Sequence, residues 1–158
     1  MQDDLEARIA ALEARAAISD LRARYCLHVD ASRWDAVAEL FAEDAEFAGL
    51  GVARGREQIR KVFEGAPDAM DAWWHFIHNE VTEVDGDVAS GSSYFDAPCV
   101  IEGVPHLCAG RYDERFAKRD GRWLFAERRL TYFYLTPLSE GWRRGAVPQA
   151  LRPLAQGD

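Results

Sequence analysis

The stretch FIHNEVTEVDGDVASGSSYFD, residues 76–96, decides the fold. It reads as two extended runs, Phe76–Val84 and Val88–Ile101, separated by Asp85-Gly86, a pair suited to a tight hairpin because such turns need positive φ. Toward the C-terminus, Glu102-Gly103 opens a third run, Val104–Lys118, and Asp120-Gly121 opens a fourth, Arg122–Leu135. Three successive hairpin connections predict an antiparallel meander. Strands this long must bend, and Gly91 and Pro98 are the predicted bend or bulge points.

Toward the N-terminus the period changes. Leu5, Ile9, Leu12, Ala16, Leu21, Tyr25 and His28 recur near helical spacing, which predicts a long helix with Ser19–Asp20 as its candidate break. After Ser32 a short helix is expected to bury Trp34, Val37, Leu40 and Phe41. A strand over Ala45 to Val52 and a helix over Gly55–Gly65, buried through Ile59, Val62 and Phe63, complete this part. The order places the chain in the α+β class, as one domain over 1–158: a helical part at 5–65, a meander at 73–136 and a tail at 137–158. Helices on the concave face of a curved sheet would enclose an apolar pocket, and the Pro-containing tail is expected to wrap the body or cover the pocket mouth.

Composition narrows the function classes. The 158 residues are 48% hydrophobic and carry a net charge of −8, with Arg scattered among Asp and Glu. That leaves no basic stripe for nucleic acid. No apolar run approaches the roughly 20 residues of a membrane span, and no secretory leader is visible, so a cytoplasmic location is the default. Cys26, Cys99 and Cys108 lack CxxC spacing and read as reduced core thiols.

A few residues are odd for a core. Asp30 lies at the end of the long helix among apolar neighbours and reads either as a turn or cap residue or as a carboxylate aimed inward. In an extended chain Trp74, Phe76 and His78 share one face, so His78 is an imidazole in an aromatic row that needs a polar partner. Either it is a satisfied core histidine, or it is a general base oriented by Asp30. His75 and His78 form HxxH, but their rings point to opposite faces of a strand and no third ligand is near, so no metal is expected. Tyr25 reads as a core aromatic or as a phenol offered to substrate, and one of Arg128 and Arg129 must point inward, where it would either steady a developing negative charge or pair structurally with Glu127, Asp96 or Glu46. His106 and Cys108 share a strand face that could line the cavity. GxSxG, P-loop, GxGxxG and HExxH motifs are missing, which removes support for serine, nucleotide and zinc-protease chemistry.

Several segments together resemble a known family: residues 16–21 (AAISDL), Tyr25, Val29-Asp30, Trp34-Asp35, residues 40–45 (LFAEDA), residues 75–79 (HFIHN), residues 120–123 (DGRW), Arg128 and residues 134–138 (YLTPL). Over roughly residues 5 to 140 the chain resembles the SnoaL-like branch of the nuclear-transport-factor-like cone fold, nearest the scytalone dehydratases and hexachlorocyclohexane dehydrochlorinases. The resemblance implies a cystatin-like α+β cone. It matches Asp30 and His78 to the family's catalytic pair, Arg128 to its cavity arginine and Tyr25 to the dehydratase tyrosine. It further implies a cofactor-independent lyase or isomerase that abstracts a proton from a small hydrophobic, cyclic or aromatic substrate, with Trp74, Phe76, Tyr94 and Phe133 as candidate pocket walls. Polyketide cyclases, epoxide hydrolases, retro-aldol lyases and non-catalytic ligand-binding cones share the scaffold and stand as alternatives. A homo-oligomer, dimer or trimer, is expected through the sheet face bearing Val100, Ile101 and Leu107.

Overall fold

The computed structural model describes residues 2–49, 51–65 and 70–141. Helix α1 (Gln2–Asp30) runs without a break through Ser19–Asp20, followed by α2 (Trp34–Glu39), β1 (Phe41–Ala48), β2 (Val52–Arg54) and α3 (Arg56–Gly65). Then come β3 (Ala72–Trp73), β4 (Phe76–Asp85), β5 (Val88–Asp96), β6 (Cys99–Ile101), β7 (Val104–Arg119) and β8 (Arg122–Pro137). The main path of the sheet is β2-β1-β8-β7-β5-β4, with β6 on β7 and β3 on β6. Every pairing is antiparallel except β1 with β8, so the sheet is mixed.

The meander follows the expected turns with local corrections. Glu102-Gly103 and Asp120-Gly121 both hold positive φ at both positions, as the right-handed strand twist favours. The first hairpin turns one residue later than expected, at Gly86-Asp87, because Asp85 pairs with Val88. Pro98 divides the second run into β5 and β6. Strand β1 starts at Phe41, which is fully buried as expected but lies in the sheet rather than in α2. The tail beyond residue 141 lies outside the described residues, and its expected role as a cover with it.

Three β-bulges in the meander control which side chains face the core. On β4 the register slips between His78 and Val81, where Asn79 takes φ 51°; on β8 it slips opposite Arg115 and Phe116, and a third slip lies farther along β8, opposite Ala109 and Gly110. Each inserted residue reverses the inward–outward alternation beyond it.

The core is largely aromatic. Tyr25, Phe41, Phe47, Phe63, Phe95, Tyr112, Phe116 and Phe125 are all buried. Helix α1 joins this core only from Ala14, Ile18, Leu21, Tyr25, Cys26 and Val29. The expected anchors Leu5, Ile9 and Leu12 are exposed, Leu12 at 63%. At about 100° per residue they fall on nearly the opposite side of the helix from the buried stripe. No helix among the described residues is long and apolar enough to cross a membrane.

Candidate functional site

A narrow cavity of about 40 Å³ opens between the sheet and the helices. Its walls include Tyr25, Val29, Phe63, Trp73, His75, Phe95, Cys99, Cys108, Tyr112 and Tyr132, and are mainly apolar. Desolvation inside such a wall strengthens each polar contact made there.

Asp30 sits where α1 ends, beside a chain reversal at Ser32, which has φ 54°. Its partner is His75, not the expected His78. Oδ1 lies 2.7 Å from His75 Nδ1, and Oδ2 accepts the His75 backbone N–H at 3.2 Å. One carboxylate thus holds both the ring and the main chain of a single residue. His75 is largely buried and lines the cavity. A proton on Nδ1 would satisfy this carboxylate oxygen, and in that tautomer Nε2 is the ring nitrogen with a free lone pair.

His78 is 47% exposed in its side chain and pairs with Asp96 at 3.1 Å on the outer face. The alternation expected for residues 74–78 is present, but with the opposite face inward. Trp73, His75 and Ile77 turn toward the core, while Trp74 and Phe76 are each 52% exposed. The bulge is the physical reason. Counted back from the hairpin turn along an unbroken ladder, His78 falls opposite the buried Phe95. The slip at Asn79 gives that place to Ile77 and sets His78 opposite the exposed Tyr94.

Other expected wall residues divide the same way. Cys108 and Tyr25 line the cavity. Tyr94, 43% exposed, meets Phe133 edge to face away from it, and His106 turns its Nδ1 to the Val104 carbonyl at 2.7 Å. None of Trp74, Phe76, Tyr94, His106 and Phe133 is a cavity wall residue. Trp73, Phe95, Tyr112 and Tyr132, which the sequence reading did not single out, are.

Arg128, rather than Arg129, points inward, and it is completely buried. The β8 bulge sets it opposite Glu114, whose Oε1 is 3.2 Å from its Nη1. Its guanidinium centre lies 3.9 Å from the Tyr25 ring centroid, 3.7 Å from that of Tyr112 and 4.5 Å from that of Phe125, a cation set against three aromatic rings. The pair with Glu114 is close but poorly aligned. Among the described residues, none of the three guanidinium nitrogens has a well-aligned hydrogen-bond partner. Burial pulls the Arg128 pKa down, but Glu114 and the two tyrosines outweigh it, so the net direction is upward and the group stays cationic. Glu114 also receives Arg22 from α1, with Nε at 2.7 Å, which ties the helix to the sheet floor. Arg129 faces outward toward Glu46 and Glu127.

Burial pushes the Tyr25 hydroxyl up to about 12 despite the opposing Arg128 charge, and it also raises Tyr112 and Tyr132. These phenols therefore remain hydrogen-bond donors at ordinary pH. Burial likewise pushes Cys99 up to about 11 and raises Cys108, so the wall thiols stay protonated. No group of three His, Cys, Asp or Glu side chains suited to a metal ion occurs among the described residues.

The chain is 28% identical over 141 residues to the gamma-hexachlorocyclohexane dehydrochlorinase of Sphingobium indicum, covering 81% of this chain and 86% of the relative. A scytalone dehydratase-like protein of Novosphingobium aromaticivorans superposes with a TM-score of 0.75 at 26% identity, over 87% of this chain and 94% of that one. A Mycobacterium tuberculosis protein of unknown function does so with a TM-score of 0.71 at 32% identity, over 77% and 72%. The model of the SnoaL-like domain matches residues 10–129, and the chain belongs to that family.

Proposed function

We propose that this SnoaL-like protein is a cofactor-independent lyase acting on a small hydrophobic, cyclic or aromatic molecule, with His75 as the base and Asp30 as its orienting carboxylate. The observation that carries the reading is the two-point hold of Asp30 on His75 at the wall of an apolar cavity. A base needs a fixed tautomer and a free nitrogen, and a carboxylate on Nδ1 of a cavity-wall histidine supports both.

In the proposed reaction, Nε2 of neutral His75 takes a proton from a carbon adjacent to the one bearing the leaving group. The C–H electron pair becomes a double bond, and the leaving group departs with its own pair, as halide or, on taking the abstracted proton back from the His75 imidazolium, as water. Asp30 balances the imidazolium that forms. The Tyr25 hydroxyl is positioned to donate to an oxygen or halogen that gathers charge, and the Arg128 cation behind the tyrosine rings favours negative charge on that side. The relation to a dehydrochlorinase and to a scytalone dehydratase-like protein supports elimination over other uses of the scaffold. Double-bond isomerisation begins with the same proton removal and ranks second.

The test is a screen of hydrophobic alcohols, cyclic ketones and halides for elimination without added cofactor. On a substrate so found, Asp30→Asn is expected to lower kcat by roughly 10²–10⁴-fold, the usual worth of positioned acid–base chemistry. A variant that retains full turnover contradicts the reading.

A further inference from the structure

Trp73 does more than line the cavity. Its indole N–H donates to the Val29 carbonyl at 3.2 Å, one residue before Asp30. That carbonyl also accepts the Ser32 N–H at 3.0 Å, at the point where α1 ends. On the other side, Trp73 is fixed by its ladder register with Cys99 and lies two residues before His75. Its ring meets Trp34 edge to face at 6.2 Å, and Trp34 stacks on Phe63 of α3.

The two halves of the His75–Asp30 contact are otherwise held at places where regular structure stops. Asp30 is the last residue of α1, and Trp74 and His75 lie in the gap between β3 and β4. The end of α1 is capped within itself, with the Ser32 and Arg33 N–H groups donating to the Val29 and His28 carbonyls at 3.0 and 2.9 Å, but that cap does not tie Asp30 to the separate segment that carries His75. Three hydrogen bonds close the gap: two from His75 to Asp30, and the indole bond to Val29. Only the third is independent of the dyad itself.

We propose that Trp73 is a positioning residue, whose indole N–H holds the end of α1 so that Asp30 can grip both the ring and the backbone of His75. This rests on the reading of the His75–Asp30 pair given above. A residue that served only as an aromatic wall would need its ring but not its N–H.

The test uses the full chain with ¹⁵N-labelled histidine and needs no substrate. Ring ¹⁵N shifts report which nitrogen of neutral His75 carries the proton, and the wild-type protein is expected to show mainly Nδ1–H. Asp30→Ala should abolish that preference. Replacing Trp73 with benzothienylalanine keeps the shape and removes only the N–H. This replacement and Trp73→Phe should each lower the ratio of Nδ1–H to Nε2–H by roughly fivefold, the worth of one neutral hydrogen bond. Trp34→Phe, which disturbs the neighbouring ring stack, should leave the ratio in place. An unchanged ratio in both Trp73 variants, or an equal fall in Trp34→Phe, overturns the positioning role. An unchanged ratio in Asp30→Ala overturns the dyad reading beneath it, so the two failures are distinguishable.

Discussion

Arg128 is the residue whose environment says most about the interior: a full charge with no exposed surface, set against three aromatic rings and one carboxylate. Glu114 answers both this cation and Arg22. Removing its charge leaves the buried Arg128 without its carboxylate and Arg22 with Glu80 alone, so Glu114→Gln should destabilise the fold by about 3–5 kcal/mol, measured as a lowered denaturant midpoint. Tyr25 gives a pH prediction. Its pKa rises from 10.0 in the unfolded chain to about 12 in the folded one, mainly through burial. A raised folded value means that its contribution is fully present below pH 10 and is lost as pH climbs to about 12. The loss amounts to about 2–3 kcal/mol at 1.36 kcal/mol for each tenfold step. Thermal melts of wild type and Tyr25→Phe should therefore differ in their slope with pH only above pH 10.

At the scale of elements, the bulges decide the site. A bulge on β4 turns His75 inward, and another on β8 turns Arg128 inward. The three hairpin connections of the meander, the first within one residue, and the interruption at Pro98 were legible in the sequence because each depends on local turn chemistry, whereas the parallel seating of β1 on β8 was not. Asp30, Tyr25 and Cys108 were legible as site candidates. The identity of the histidine was not. Residues 73–78 alternate aromatic and histidine on both faces, so hydropathy cannot choose between them, and a ladder counted from the turn chooses wrongly. Asn79 was the available signal, since asparagine tolerates the left-handed conformation that a bulge can require. The β7–β8 pairing depends equally on Gly110. A Cβ there would lie 2.6 Å from Phe95 Cζ and closer still to the Thr131 carbonyl oxygen. Gly110→Ala should cost about 1–3 kcal/mol by overpacking, read from denaturant unfolding, and should reshape the cavity wall at Phe95.

For the whole molecule, the exposed apolar side chains make a further statement. Trp74, Phe76 and Tyr94 share the outer face of the sheet, whereas the expected contact residues Val100, Ile101 and Leu107 are half-buried. A dimer or trimer through the outer face is the proposal this supports, and Phe76→Lys should shift sedimentation toward the monomer while leaving far-UV circular dichroism unchanged. The central claim, however, concerns the inner face: the two histidines of one HxxH stretch divide into a buried base and an outer-face residue. The direct measurement is turnover of His75→Gln and His78→Gln, side by side, on a substrate found by the elimination screen. The account predicts that His75→Gln lowers kcat by roughly 10²-fold or more while His78→Gln stays within about threefold of wild type. Loss of turnover in His78→Gln with His75→Gln still active would contradict it.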